Sequence, residues 1–191
     1  MTIDKQKENL RKVLINKRKD LKKNDINSFI NIKKNIIKIR EFNEAKVIAS
    51  FISIKTEIST KYLNDFIISL GKTICLPVIL SNNDYLIFRI YDKSNKLKIG
   101  KFGIPEPDET KKELMPDIIL TPCLAFDLDG YRLGYGGGYY DKTFSKLLKI
   151  SHNFISIAIA YDDQKIEQVY HNEYDKKINY ILTEKQLYTP K

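Results

Sequence analysis

The sequence predicts an α/β fold in which a mainly parallel central sheet is covered by helices on both faces, as a three-layer α/β/α arrangement. Apolar strand-like runs alternate along the chain with segments of helical periodicity, and this alternation is typical of βαβ units. Four of the eight glycines fall within residues 134–138, between a strand-like run and a helix-like one. Ligands in parallel sheets bind at the carboxyl ends of the strands, so this glycine loop is the first candidate for a functional site.

Length and composition indicate one domain spanning residues 1–191. Of the 191 residues, 42% are hydrophobic and 30% are charged, which suffices for a sizeable core. The charged N-terminus has no apolar segment typical of a secretory signal, and no uncharged apolar run reaches the roughly 18 residues of a membrane span. Cys75 and Cys123 lie in apolar strand-like runs, where we expect buried, reduced thiols. We therefore expect a cytoplasmic protein without a membrane partner.

Two helices open the chain. The first spans residues 4–22 and the second follows residues 24–27, and apolar residues recur at helical spacing in both. The outer face of the first helix is expected to be heavily basic. The side chains expected to face inward are Leu10, Val13, Leu14 and Leu21 in the first helix and Ile26, Phe29, Ile30, Ile36 and Ile37 in the second.

Strands and helices alternate through the rest of the chain. A helix between the first two strands has Thr60 as its predicted N-cap, Gly71 as its C-terminal glycine, and Leu63, Phe66, Ile67 and Leu70 on its buried face. Lysine, glycine and proline are frequent between residues 92 and 117, which we expect to form loops. The predicted strands are residues 47–53, 73–79, 85–91, 118–126, 154–161 and 180–183, and a further helix covers residues 140–149.

The positive charge is concentrated at the N-terminus. Residues 1–40 contain thirteen Lys and Arg against four Asp and Glu, whereas the remainder contains 20 of each kind. A basic segment of this type can bind nucleic acid, or it can be a helix that carries ligands for a polyanionic cofactor. Lys7 and Arg11 are four residues apart and therefore share one helix face, which favours the second interpretation.

The glycine loop has the composition of a phosphate site. Glycines allow a ligand to approach the backbone, and N–H groups at a helix N-terminus bind anions, most often phosphate. Arg132 adds a guanidinium group suited to phosphate, and Asp141 adds a hard oxygen ligand for Mg²⁺, although it is also an ordinary residue for a helix start. A P-loop is excluded because Phe66 replaces its first glycine, and a dinucleotide fingerprint because Tyr139 replaces its third.

Residues 126–141, FDLDGYRLGYGGGYYD, resemble the signature of the 5-formyltetrahydrofolate cyclo-ligase family. Shorter matches follow in the family's order over about residues 5–183: Lys7 with Arg11, residues 51–57 with Thr60, Gly71-Lys72 with Leu76-Pro77, Gly103 with Glu106-Pro107, Gln164, and residues 173–175. The resemblance implies a fold of the type shared with sugar-phosphate isomerase/CoA-transferase-like proteins, and we expect a monomer. The sequence departs from the family at Tyr174, where histidine is common, and at Lys142, where arginine is common.

The reaction that the resemblance implies consumes ATP with Mg²⁺. It converts 5-formyltetrahydrofolate into 5,10-methenyltetrahydrofolate, ADP and phosphate. The formyl oxygen is phosphorylated, N10 closes the ring, and phosphate leaves. Two alternatives remain open: a diverged ATP-dependent paralogue that acts on a different amide-like substrate, and a basic RNA-binding protein. The intact segment around Glu57 favours folate over the first alternative.

The resemblance also assigns roles to residues. Arg132 and Tyr140 are the implied catalytic residues, and Asp141 and Asp175 are the implied Mg²⁺ ligands. The implied ATP ligands are Lys7, Arg11, Arg132, Gly134, Gly136, Gly137, Gly138, Tyr139 and Tyr140. The implied folate ligands are Glu57, which would accept the N–H groups of the pterin, with Ile52, Tyr135 and Tyr139. Leu86 and Phe88 are further folate candidates that a plain core position explains equally well.

Overall fold

The computed structural model of the protein describes residues 2–21, 25–94 and 96–190. The end of the predicted first helix at residue 22 and the side chain of Ile26 lie outside what it describes. Within these residues the α-helices are α1 (Ile3–Leu21), α2 (Asp25–Ile36), α3 (Arg40–Glu44), α4 (Lys61–Ser69) and α5 (Tyr139–Lys149). Two short 3₁₀ helices cover Lys101–Gly103 and Asp162–Gln164.

Seven strands form the central sheet. In chain order they are β1 (Val47–Ala49), β2 (Thr73–Val78), β3 (Ile87–Tyr91), β6 (Ile118–Pro122), β9 (Ile155–Ala160), β10 (Tyr180–Thr183) and β11 (Leu187–Tyr188). Two small hairpins account for the other described strands, which are β4 (Lys98–Ile99) with β5 (Pro105–Glu106) and β7 (Ala125–Phe126) with β8 (Arg132–Leu133).

The sheet is parallel at its centre and antiparallel at its two edges. Its strand order is β11-β10-β9-β6-β1-β2-β3. The pairs from β10 to β2 are parallel, whereas β11 and β3 run antiparallel to their neighbours. The chain moves outward from β1 to β2, then returns past β1 to β6 and continues outward on the other side. The order therefore reverses between β1 and β6, and ligands in such sheets bind beside this reversal.

Helices cover both faces of this sheet, as predicted. Alternate residues of a strand point to opposite faces, so Ile48 of β1 packs in the cluster with α2, α3 and α4, whereas its neighbour Ala49 packs with α5. Phe144 and Leu147 are the buried residues of α5 in that second cluster, and burial of each such side chain contributes about 1.5–3 kcal/mol. The α/β prediction with a mainly parallel sheet is confirmed.

Several predicted boundaries are wrong. The strand predicted at 47–53 ends at Ala49, and the one predicted at 85–91 begins at Ile87. The run 118–126 is divided into β6 and β7, because Pro122 at the end of β6 has no N–H to continue a ladder. The predicted loops of residues 92–117 contain the β4–β5 hairpin, and α3, β8 and β11 were not predicted.

Some predicted inward side chains face solvent instead. Val13 is 64% exposed, and Ile30, Ile37 and Leu70 are also exposed. In α1 the buried residues are Lys7, Leu14 and Arg18, so its buried face combines one leucine with two cations.

Both predicted ends of α4 are confirmed in position, since Thr60 is the N-cap residue and Gly71 follows the last turn. The Thr60 side chain makes no cap hydrogen bond, and its hydroxyl donates instead to the carbonyl of Phe51 at 2.6 Å. Gly71 has a φ of 74°, as a C-terminal glycine requires. No helix among the described residues is long and apolar enough to cross a membrane.

Candidate active site

Two loops meet where the strand order of the sheet reverses. One follows β1 and carries Glu57, and the other follows β6 and leads through the β7–β8 hairpin to the glycine loop, residues 134–138. Helix α1 packs over the second loop through Leu14, which lies in a cluster with Leu124, Ala125 and Leu133. Helix α1, the loop after β1 and the loop after β6 are distant in sequence and meet at the carboxyl ends of the central strands.

The glycine loop requires glycine at two of its positions. Gly136 and Gly138 have φ angles of 105° and 67°, a region that costs other residues roughly 1–2 kcal/mol. A Cβ on Gly136 would lie 3.3 Å from the guanidinium carbon of Arg11, and one on Gly137 would lie 2.7 Å from the Tyr139 ring. Arg11 Nε also donates to the Gly134 carbonyl at 2.9 Å. The loop is thus held against α1 and leads directly into α5, which begins at Tyr139.

A cleft of about 770 Å³ opens in front of this loop, and we call it the basic cleft. Gly134, Gly136 and Gly138 line it, together with residues of α1, α5 and the segment 172–176. Basic side chains outnumber acidic ones on its walls. They are Lys7, Arg11, Arg132, Lys142, Lys146, Lys149 and Lys176, against Asp4, Asp84, Asp141 and Asp175. A cleft with this balance of charge attracts a polyanion.

Two buried cations of the basic cleft are paired with carboxylates. Lys7 Nζ lies 2.5 Å from Asp175 Oδ2, and Arg132 Nη1 lies 3.1 Å from Asp141 Oδ1. The cationic side chains are 9% and 4% exposed, whereas the carboxylates are 21% and 22% exposed. The backbone N–H of Lys176 also donates to Asp141 Oδ1, at 3.0 Å. The carboxylates therefore hold the two cations in place from the solvent side.

Arg132 lies on β8 with aromatic rings around its guanidinium group. The guanidinium carbon is 5.8 Å from the centre of the Tyr140 ring and 5.1 Å from that of Phe144, within the range of cation–π attraction. Arg132 Nη1 also donates to the carbonyl of Lys176 at 3.2 Å. Burial raises the pKa of the Tyr140 hydroxyl, so this phenol is neutral at physiological pH. Arg132 is consequently fixed in direction while its charge borders the cleft.

A second group of polar residues lies on the β1 side, and we call Arg18, Glu57 and Tyr135 the Glu57 cluster. Glu57 is 6% exposed, and its Oε2 accepts the N–H of Ile54 at 2.8 Å. Burial raises the pKa of Glu57, and the opposing effects of the Ile54 N–H, the Arg18 charge and the Tyr135 hydroxyl do not cancel it. The carboxylate is therefore a poorly solvated acceptor whose charge depends on its neighbours.

Arg18 is a buried polar residue of this site that was not predicted from the sequence. It is 2% exposed, and its three nitrogens donate to the Thr56 hydroxyl at 3.0 Å, to the Cys123 carbonyl at 3.0 Å and to the Tyr135 hydroxyl. A signal was present, because Arg18 is seven residues beyond Arg11 and Arg11 is four beyond Lys7, so all three share a helix face. Apolar periodicity alone does not reveal this basic face.

The remaining predicted site residues lie around the basic cleft and the Glu57 cluster. The Tyr139 hydroxyl accepts a hydrogen bond from Lys101 at 2.9 Å, and its ring meets that of Phe102 edge-on at 6.1 Å. Ile52 is partly buried against the main core. Leu86 and Phe88 are buried in the cluster that contains Phe144 and Leu147, which is a core position. Among the described residues, Ile52, Glu57, Tyr135, Gly137, Tyr139 and Tyr140 do not line the basic cleft.

The acidic residues of the cleft limit the number of protein ligands that a metal ion could have there. Within the described part of the chain, no group of three or more His, Cys, Asp and Glu residues could hold a metal ion. Asp141 and Asp175 both line the cleft, and each uses one carboxylate oxygen in the contacts given above. This arrangement suits Mg²⁺, which binds through one or two carboxylates with substrate phosphates and water.

The fold and the site define a class of protein, an α/β protein with a glycine-lined basic cleft beside a buried carboxylate. Comparison of sequences identifies the family within this class. The pattern of the 5-formyltetrahydrofolate cyclo-ligase family matches residues 3–184, and the chain belongs to that family. The resemblance found in the glycine loop is thereby confirmed.

Relatives and solved structures agree with this assignment. The chain is 37% identical over 147 residues to the 5-formyltetrahydrofolate cyclo-ligase of Haemophilus influenzae, covering 74% of this chain and 78% of that one. It is 31% identical over 170 residues to that of Mycoplasma genitalium, covering 84% and 88%. The 5,10-methenyltetrahydrofolate synthetase of Aquifex aeolicus superposes with a TM-score of 0.74 at 28% identity, over 96% of this chain and 92% of that one. The Mycoplasma pneumoniae synthetase gives 0.69 at 23% identity, over 93% and 98%, which shows a shared fold.

Proposed function

We propose that this protein converts 5-formyltetrahydrofolate into 5,10-methenyltetrahydrofolate while ATP is converted into ADP and phosphate. The observation that carries the proposal is the meeting of the glycine-lined basic cleft and the buried Glu57 cluster where the strand order of the sheet reverses. One site suits a polyanion and the other a planar edge of N–H donors. A chain of this family with both sites side by side can bring the γ-phosphate of a nucleotide next to the formyl group of a folate.

The chemistry explains why ATP is required. The formyl group on N5 is an amide, and its oxygen is a poor leaving group unless it is modified. Attack of this oxygen on the γ-phosphorus forms a P–O bond and releases ADP. N10 then attacks the formyl carbon and loses its proton, and the C–O bond breaks with release of phosphate. Catalysis of the first step consists mainly of positioning and of stabilising negative charge.

In our proposal, the positive charge that stabilises the phosphates comes from Lys7, Arg11 and Arg132. In the structure Lys7 and Arg132 face Asp175 and Asp141, and phosphate oxygens would replace part of these contacts when the nucleotide binds. The loop of Gly134, Gly136, Gly137 and Gly138 would present backbone N–H groups to the phosphates, as expected before a helix N-terminus. Each charge-assisted hydrogen bond would contribute about 1.5–3 kcal/mol.

The folate is assigned to the Glu57 side. The Glu57 carboxylate would accept the amino and amide N–H groups of the pterin, with Tyr135 beside it on the glycine loop. Ile52 and Tyr139 would contribute apolar and aromatic contact, and the edge-on approach of Tyr139 to Phe102 gives that ring a defined orientation. We leave Leu86 and Phe88 out of this assignment because both pack in the hydrophobic cluster of Phe144 and Leu147.

Tyr140 is assigned a catalytic role as a neutral phenol. Burial raises its pKa, so it would donate a hydrogen bond rather than remove a proton. Its ring also supports the Arg132 guanidinium group, and this contact would limit the directions in which Arg132 can approach a phosphate.

Asp141 and Asp175 are the residues that would hold Mg²⁺, since both carboxylates line the same cleft. Bound there with phosphate oxygens, the ion would neutralise part of the negative charge of the nucleotide. We also propose that the protein acts as a monomer. A cytoplasmic location is consistent with Cys75 and Cys123, which are free and buried and whose pKa burial raises to about 12.

The test is near-ultraviolet absorbance of the purified protein with 5-formyltetrahydrofolate, MgCl₂ and ATP at mildly acidic pH, where the methenyl product persists. The conjugated methenyl bridge absorbs where the substrate does not. We expect a rise that requires the protein, ATP and Mg²⁺ together, with one ADP formed per methenyl group. Omission of each component in turn is the control. No rise, with ATP binding still measured by calorimetry, would contradict the folate assignment and indicate a paralogue with another amide-like substrate.

A further inference from the structure

The Glu57 carboxylate is enclosed by charged and titratable groups from several parts of the chain. Arg18 approaches from α1, Tyr135 from the glycine loop, Tyr140 from α5 and Cys123 from the end of β6. Lys55 belongs to the same loop as Glu57. Arg18 is the buried cation of this group, so it is the one that can compensate a carboxylate removed from water.

Arg18 also joins three separate segments. It donates to Thr56 in the loop after β1, to the Cys123 carbonyl after β6, and to Tyr135 in the glycine loop. The guanidinium carbon lies 5.4 Å from the centre of the Tyr135 ring. The planar group therefore fixes the relative position of the two loops at the reversal of the strand order, and at 2% exposure it is not open to a ligand.

We propose that Arg18 is a positioning residue for folate, which aligns Glu57 by holding the loop at Thr56 and the Tyr135 hydroxyl in place. This inference rests on the proposed function, since Glu57 is taken to accept the N–H groups of the pterin. Arg18 would act on folate binding and leave ATP binding nearly unchanged, because the ATP ligands of α1, Lys7 and Arg11, have their own partners in Asp175 and Gly134.

The experiment compares Arg18→Met and Arg18→Lys with the wild type, using Arg40→Met as a matched control. Arg40 lies on the surface, with its side chain 84% exposed in a pair with Glu44. For Arg18→Met we expect the KM for the folate substrate to rise about ten- to hundred-fold while the KM for ATP changes by less than about three-fold. Arg18→Lys retains the positive charge and lacks the planar guanidinium fork, so we expect it to recover part of the loss in the folate KM.

The pH dependence separates positioning from a merely structural role. Loss of the Arg18 charge removes an influence that lowers the pKa of Glu57, so folate affinity in Arg18→Met should recover only at a higher pH than in the wild type. Titration of the ¹³C-labelled Glu57 carboxyl by NMR measures the same shift without any activity. An unchanged titration, or an equal loss of folate and ATP affinity, would overturn the inference.

A second variant keeps the inference testable if Arg18→Met does not fold. Tyr135 is 39% exposed, and Tyr135→Phe removes only the hydroxyl that lies between Arg18 and Glu57. We expect a smaller rise in the folate KM and an upward shift in the titration of Glu57. In the double variant the effects should be less than multiplicative, because both substitutions interrupt one network. Independent effects of the two substitutions, or an unchanged Glu57 titration in Tyr135→Phe, would count against the inference.

If the wild type itself forms no methenyl product, the proposed function fails, whereas the NMR titration of Glu57 still tests the role of Arg18.

Discussion

The basic cleft and the Glu57 cluster are neighbours, but they hold their charges differently. In the cleft, Lys7 and Arg132 face carboxylates whose side chains are about one fifth exposed, at 21% and 22%. In the Glu57 cluster, both Glu57 and Arg18 are nearly enclosed, at 6% and 2%. The ion pairs of the cleft can exchange partners with an incoming anion at modest cost, because water and ligand reach them from one side. The buried network cannot exchange partners without leaving a charge unpaired.

This difference indicates two kinds of binding. The cleft suits a polyanion that arrives with its own charge and replaces carboxylates as the partner of the cations. The Glu57 cluster suits a neutral, planar ligand whose N–H groups satisfy an acceptor that is already in position. Substitutions in the two regions should therefore alter different kinetic constants.

The largest effect is expected in the cleft. Arg132→Ala should lower turnover by about 10³–10⁵, as when a phosphate-binding arginine is lost. Arg132→Lys should recover only part of it, because a lysine lacks the planar fork. Turnover by the absorbance assay is the measurement, and circular dichroism checks the fold. Near-normal turnover of Arg132→Ala would contradict the role of Arg132, and Arg40→Ala serves as the surface control.

The second largest effect is expected in the Glu57 cluster. Glu57→Gln should raise the KM for the folate substrate about ten- to hundred-fold, because a neutral amide accepts more weakly and presents an N–H to the pterin donors. ATP affinity measured by calorimetry should change little. If both affinities fell together, Glu57 would be a structural residue and the division between the two regions would be wrong.

A matched pair of glycines tests whether the backbone of the cleft matters. Gly136→Ala should weaken ATP binding about ten-fold, since its φ of 105° disfavours alanine and the new methyl group would press on Arg11. Gly134→Ala should have a much smaller effect, because no heavy atom lies within 4 Å of its added Cβ and its φ is not positive. Calorimetric titration with ATP compares the two. Equal losses would show that the loop conformation is not what the nucleotide requires.

The smallest effect is on stability. Burial raises the pKa of Glu57, so the folded state binds its proton more tightly than the unfolded state does. The buried carboxylate therefore opposes folding above its folded pKa, and this cost disappears as the pH falls below its unfolded value. As the pH rises from 4 to 7.5, the gap in unfolding temperature between Glu57→Gln and the wild type should therefore shift in favour of the variant. A gap that is independent of pH would show that the Glu57 charge does not strain the fold.

Much of the glycine loop was predictable because its determinants are local. Gly136 and Gly138 adopt positive φ, and α5 begins directly after them, as the sequence indicated. The central strands were predictable for a similar reason: strands buried on both faces are continuous apolar runs. The confirmed α/β class and the family pattern both depend on these local signals.

The faces of the N-terminal helices were less predictable. Val13, Ile30 and Ile37 are apolar and exposed, whereas Lys7 and Arg18 are charged and buried. Periodicity identifies the side of a helix that is apolar, and it does not reveal what the helix packs against. On the inner face of α1, Leu14 enters an apolar cluster, whereas Lys7 and Arg18 bind acceptors on other segments.

By itself, the sequence determined the class of fold, the family and the glycine loop, and it contained the residues that we propose bind phosphate. Those features depend on backbone conformation and on hydrophobic pattern, which act over a few residues. Only the tertiary structure decided which charges meet: Lys7 with Asp175, Arg132 with Asp141, and Arg18 with the loop that carries Glu57. Lys7 and Asp175 are 168 positions apart. Arg18 reaches both Thr56 and the Cys123 carbonyl because the reversal between β1 and β6 brings the loops that follow these two strands together.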